Sequence, residues 1–141
     1  MQIQQVQSYL FFNGRTEEAL AFYQKTLGAK LEGLMRFKEN PQPAANPPGA
    51  AEKVMHCAFR VGDTQVMASD GECAGQPSFQ GFSLCLNAAD VPTAEKLFAA
   101  LGAGGQVQMP LGETFFASRF GMVADRFGVS WMVIAGPKEP A

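Results

Sequence analysis

The chain states part of itself twice. Residues Gln7–Ala29, QSYLFFNGRTEEALAFYQKTLGA, pass from an apolar run through Asn13-Gly14 into a helical pattern that stops at Leu27-Gly28-Ala29. Residues Gly81–Ala103, GFSLCLNAADVPTAEKLFAALGA, do the same and stop at Leu101-Gly102-Ala103. Laying Leu101 on Leu27, an offset of 74 (101 − 27), also sets Asn87 on Asn13, Leu84 on Leu10 and Phe82 on Ser8. Each copy repeats one switch from period-2 to period-3.6 patterning, so the chain is constrained to fold as two like units.

In the first copy, Val6–Phe12 is aromatic and aliphatic and reads as a strand of a largely buried sheet. Thr16 is placed to cap the following helix, Glu17 and Glu18 suit its positive end, and Leu20, Tyr23 and Leu27 share one face. Gly28 is a helix-terminating glycine. Lys30–Phe37 reads as a strand and Lys38–Lys53, with Pro41, Pro43, Pro47 and Pro48, as a loop, since proline at this density removes backbone donors. Such a connection is either a flap over a site or an idle insertion, and composition leaves both open. Val54–Val61 and Thr64–Ser69 about Gly62-Asp63 predict a hairpin. Along its first arm Met55, Cys57, Phe59 and Val61 make one apolar face, which turns His56 and Arg60 away from the helix layer.

The second copy offers a strand at Phe82–Leu86 and a helix capped by Asp90, with Pro92 in its first turn and Ala94, Leu97, Phe98 and Leu101 on one stripe. A short strand at Gly104–Met109 and a loop at Pro110–Thr114 follow. Phe115–Ala124 and Ser130–Ile134 then form a hairpin about Asp125-Arg126-Phe127-Gly128, and the tail from Gly136 is expected to fray. The predicted organisation is a first β-α-β-β-β module over 1–70, a joint over 71–79 and a second module over 80–136, in one compact unit. Three strands after one helix call for mixed sheet with helices on one side, an α+β fold; no GxGxxG or Walker A motif argues for a doubly wound one.

Composition narrows the function classes. At 141 residues, 47% hydrophobic and 17% charged, the chain can bury a core, and its net charge of −2 without a Lys/Arg run makes nucleic acid a poor partner. No apolar run reaches the ~20 residues of a membrane span and the N-terminus lacks a leader pattern, so a cytoplasmic protein is expected. Cys57, Cys73 and Cys85 match neither a disulfide framework nor a zinc spacing, and Cys57 and Cys85 lie in strand-like runs that suit small buried hydrophobes.

Paired β-α-β-β-β units, with strand-AxxFYxxxLGA at the start and D-x-F-G before the last strand, resemble the vicinal oxygen chelate superfamily of glyoxalase I, extradiol dioxygenases and bleomycin-resistance proteins. Within it, YLFFNGRTEEALAFYQKTLGA, HCAFRVGD and FxxRFGMVADRFGVSW are most similar to the PhnB-like branch, whose members also carry a demethylubiquinone methyltransferase label. The resemblance implies two modules forming a cupped mixed sheet around a cavity, helices outside, and a homodimer. This fold hosts enzymes and drug-sequestering proteins alike.

Catalytic members hold a divalent metal with residues from the first and last strand of each half. Carried over, those places fall on Ser8, Phe82, Met132 and a residue among Val66, Met67 and Ala68. None is an imidazole or a carboxylate, so the resemblance implies that the usual metal site is absent and no cofactor is expected. PhnB-like sequences commonly carry a proline and a histidine where this chain has Arg126 and Val129, so no role transfers to those places.

His56, the one histidine, is either a structurally bonded strand residue or a general acid/base beside a cavity. Arg60 is an anion anchor or a solvated strand end. Phe115, Phe116 and Arg119 form an aromatic wall with one guanidinium, or a cap on the core. The expected cavity is lined by Ser8, His56, Arg60, Phe82, Phe115, Phe116, Arg119 and Met132 and takes a small organic or anionic ligand. Two alternatives stand beside this reading: an enzyme using His56 as acid/base or a non-standard metal pair such as His56 with Asp70, and a dimeric scaffold without a ligand.

Overall fold

The computed structural model describes residues 1–137, and the chain divides into two units, Met1–Pro77 and Ser78 onward. The first contains β1 (Tyr9–Phe11), α1 (Thr16–Leu27), β2 (Lys30–Arg36), β3 (Val54–Val61) and β4 (Thr64–Ser69). Its sheet has the order β1-β4-β3-β2, with β1 parallel to β4 and the other pairs antiparallel. The second contains β5 (Leu84–Ala88), α2 (Val91–Gly102), β6 (Gln106–Gly112), β7 (Ala117–Ala124) and β8 (Ser130–Pro137), in the order β5-β8-β7-β6. There too the first strand is parallel to the last and the rest are antiparallel. Two four-stranded mixed sheets of one topology, each with a helix, make the fold α+β.

Each sheet has a helix-facing and an open face. In the first unit Leu10, Phe12, Cys57, Phe59, Val66 and Ala68 are buried, and Tyr23 of α1 meets both Phe12 and Phe59 ring to ring. In the second, Val123, Trp131, Val133 and Ala135 are buried, and α2 packs over β7 and β8. Burial of these apolar rows is the main force holding helix to sheet.

Local signals fared unequally. Asn13 and Gly14 both take positive φ, which this residue pair tolerates, and Gly28 ends α1 in the left-handed conformation. Asp90 caps α2 by accepting from the Thr93 amide. Thr16, expected to cap α1, does not: it is the first helical residue, and its Oγ1 is buried without a partner among the described residues. The cap comes from Asp70, whose Oδ1 accepts from the amides of Gly14 (2.8 Å) and Thr16 (2.9 Å) while Oδ2 accepts from the Val54 amide (2.8 Å). One buried carboxylate thus ties the start of α1 to the start of β3.

The proline-rich segment folds back on its own base. The Phe37 and Lys38 amides donate to the carbonyls of Lys53 and Ala51, and Asn46 Nδ2 donates to the Phe37 carbonyl. Arg36 pairs with Glu17 through two nitrogens and also reaches the Glu52 carbonyl. In the second unit β6 extends through Pro110, expected in a loop; proline is tolerated because β6 is an edge strand. Of the tail expected to fray, Gly136 and Pro137 end β8, and the rest lies outside the described residues.

Candidate functional site

Alternation aims the first site. With Leu10 and Phe12 committed to α1, Tyr9 and Phe11 emerge on the open face of the first sheet. The register sets Met67 beside Tyr9, Ser69 beside Phe11 and Met35 beside His56. The Tyr9 ring stacks on Phe11 at 5.1 Å and tilts against His56 at 5.6 Å. Tyr9 is 38% exposed, Phe11 51% and Met35 40%. Apolar side chains so concentrated on one exposed face are more than scattered surface residues.

Two polar contacts sit in this bed. The Gly71 amide donates to Ser69 Oγ (2.9 Å), and the Tyr9 hydroxyl lies 2.9 Å from His56 Nδ1. Burial, followed by the neighbouring Cys57, raises the Tyr9 phenol above its ordinary value, so the phenol stays protonated and is able to donate to Nδ1. With the phenol as donor, it is the Nε2–H tautomer of the imidazole that accepts at Nδ1. Gly71 fits here because its φ of 55° is left-handed and a Cβ would stand 3.1 Å from the Phe11 ring.

A self-paired polar row flanks the bed. Gln7 donates to Gln65, Gln65 donates to Glu32 and Arg60 pairs with Glu32 at 3.1 Å, also donating to the Asp63 carbonyl. The Arg60 and Gln65 bonds hold the Glu32 carboxyl below its ordinary range. Ser8 and Arg60 share a polar groove of ≈ 330 Å³ with Gln7, Asp63, Thr64 and Gln65.

The expected cavity residues do not form one set within either unit. Ser8, His56 and Arg60 belong to the first; Phe82, Phe115, Phe116, Arg119 and Met132 belong to the second. Phe115, 91% exposed, meets Phe116 edge-on, and Phe116 meets Phe120 in turn. Arg119 is corrected: it shares the alternation of buried Ala117 and Val123, and its guanidinium turns to α2, where Glu95 lies at 3.6 Å. It therefore does not line the open face of its sheet. Phe82 is exposed ahead of β5, and Met132 lies on the open face of β8.

The metal places also shift. Ser8 and Phe82 fall in the phase of Leu10 and Leu84, whose rows face the helices, so the first-strand residues on the open faces are Tyr9 and Cys85. Beside them on the last strands stand Met67 and Met132. Neither the phenol and thioether of the first unit nor the thiol and thioether of the second matches the nitrogen and oxygen donors that a divalent ion of this kind prefers. Nor can Asp70 join His56 as a metal pair, since both its oxygens are taken by backbone amides and it is buried. No three of His, Cys, Asp and Glu converge among the described residues.

Sequence reading missed Tyr9, Phe11 and Ser69. Treating Leu10 and Phe12 as core would have placed Tyr9 and Phe11 opposite them; Ser69 carried no such signal.

Two four-stranded mixed sheets of one topology, each with its helix, define a paired β-α-β-β-β protein of glyoxalase type. The 3-demethylubiquinone-9 3-methyltransferase family profile matches residues 4–134. The chain is 36% identical to protein YjdN of Escherichia coli (strain K12) over 140 residues, 94% of this chain and 95% of that protein. Among solved structures, protein PA1353 of Pseudomonas aeruginosa is 42% identical with a TM-score of 0.82, covering 94% of this chain and 98% of that one. A PhnB protein of Bacillus cereus is 26% identical with a TM-score of 0.79, covering 94% of this chain and 100% of that one. The chain belongs to this PhnB-like family. A glyoxalase-related enzyme of Fulvimarina pelagi, 19% identical with a TM-score of 0.59 over 99% of this chain and 100% of its own, shares the fold. No helix among the described residues is long and apolar enough to cross a membrane.

Proposed function

We propose that this protein binds a small, flat organic molecule on the open face of its first sheet, without the divalent ion of the superfamily's enzymes. Tyr9, Phe11, Met35 and Met67 form the bed, and His56 Nε2 is the polar contact. The observation that carries this is the Tyr9–His56 bond of 2.9 Å set among exposed apolar side chains. A fixed donor inside an apolar surface is the usual composition of a small-molecule site. Because Arg60 is already paired with Glu32, a ligand with a carbonyl or hydroxyl acceptor suits the site better than a strong anion.

Methyl transfer, which the family's name suggests, finds little support in the chain itself. Free backbone amides at a helix start are one way to hold an anionic group such as a donor's carboxylate. Here the start of α1 is occupied by the Asp70 carboxylate and that of α2 by Asp90.

The test is a thermal-shift series with 1-naphthol, 2-naphthaldehyde and 2-naphthoate on wild type, Y9F and H56A. At 100 times its dissociation constant a ligand adds ~2.7 kcal/mol. The carbonyl and hydroxyl probes are expected to stabilise wild type more than the carboxylate does, and the gain should fall in H56A. No shift with any probe, or an equal shift in H56A, defeats the reading.

A further inference from the structure

We infer that the open face of the second sheet is a site for a soft monovalent cation, Cu(I) or Ag(I), bound by the Cys85 thiolate with the Met132 and Met122 thioethers. Register carries the argument. Cys85 is paired with Met132, Met132 with Met122 and Met122 with Met109, so one row crossing all four strands bears four sulfur side chains. Directly paired residues share a face, and this is the face away from α2, because the adjacent row of Val123 and Trp131 is buried. Cys85, expected to be a buried hydrophobe, is instead exposed with a free thiol; Met109 is exposed, and Met122 and Met132 are partly so.

Geometry and charge select the ion. Neighbouring strands lie ~4.8 Å apart. Three sulfurs each ~2.3 Å from one ion stand about 4 Å from one another, a gap that unbranched methionine side chains can close. Thiolate and thioether are soft donors that favour Cu(I) over oxygen-seeking ions. The flanking residues of this face, Ser83, Ser130 and Gln108 on one side and Ile134 and Phe120 on the other, are uncharged, and the first three are hydrogen-bonded among themselves. One thiolate neutralises a monovalent ion, whereas a divalent ion would keep an uncompensated charge there. Binding replaces the Cys85 S–H bond with a sulfur–metal bond and releases one proton, with no change in oxidation state. The site uses no imidazole or carboxylate and does not depend on ligand binding at the first sheet.

The experiment is an anaerobic titration of the reduced full chain with Cu(I) against the chromogenic chelator bicinchoninate. Wild type should take one equivalent from the chelator, with only sulfur in the metal's first shell by X-ray absorption. Affinity should fall about 100-fold in C85S and about tenfold in M132L, while C73S binds as wild type. Absence of uptake, wild-type affinity in C85S, or loss in C73S instead overturns the proposal. Should C85S fail to fold by circular dichroism, the volume-conserving M122L/M132L pair decides: unchanged affinity there overturns it equally.

Discussion

The two sheets share a topology and differ in what they turn outward. The first presents aromatic rings, one histidine and a charged row, Tyr9, Phe11, His56 and Arg60–Glu32. The second presents sulfur and hydroxyl groups, Cys85, Met132, Met122 and Ser83–Ser130, without a charge. Their helix-facing rows agree in kind, apolar and buried at the centre of both, with Arg119 of β7 the charged exception. A helix-facing residue must fill a fixed space and bury no unpaired polar atom, so both copies keep the same chemistry there. An open face carries no such demand, and it is there that the copies have parted.

The sharpest way to test the shared framework is through its buried carboxylates, which the two units use differently. Asp70 joins residues 54 and 56 positions away in sequence, at Thr16 and Gly14, as well as Val54. Asp125 serves its own turn, accepting from Phe127, Val129 and the Trp131 indole. D70A should cost ~3–5 kcal/mol by urea unfolding, since three amides lose a charged acceptor across distant elements, and D125A ~2–3 because a turn relaxes more easily. Equal losses would mean that the long-range tie is no more important than the local one.

Glycines in the two sheets give a second contrast. A Cβ on Gly121 would stand 2.8 Å from the Phe98 ring and 2.9 Å from Leu111 Cα, so G121A should lose ~2–3 kcal/mol of stability. Gly33 has nothing within 4 Å, and G33A should be neutral or gain up to ~0.5 kcal/mol. A costly G33A would show that the open face of the first sheet is filled.

Cysteine chemistry separates the faces most finely. Burial, with nearby Asp70, pushes the Cys57 thiol up to about 11. Below the ordinary thiol range both folded and unfolded chains hold this proton and stability is unaffected. Above pH ~9 the unfolded chain releases it first, so stability falls by on the order of 2 kcal/mol by pH 11, and C57A should remove that component. At neutral pH, iodoacetamide with mass-spectrometric readout should label Cys85 well ahead of Cys57. Prompt labelling of Cys57 would contradict its burial under α1.

Much of this was legible in residue order. The 74-residue offset, the hairpin Val54–Val61/Thr64–Ser69 and the Asp90 cap all rest on neighbours within a few positions, where alternation and turn chemistry act. His56 facing away from the helix followed from the same alternation. Arg119 and Thr16 were misread because a single strand or helix start does not disclose what packs against it: Glu95 claims one, and Asp70 displaces the other.

The sequence by itself determined that two like modules form and which rows are apolar, since periodicity is a local property. Tertiary structure alone decided that Tyr9 meets His56, that four sulfurs share one row and that Asp70 closes α1 from 54 residues away. These are matters of register between strands distant along the chain, and a one-residue slip would turn each side chain to the other face.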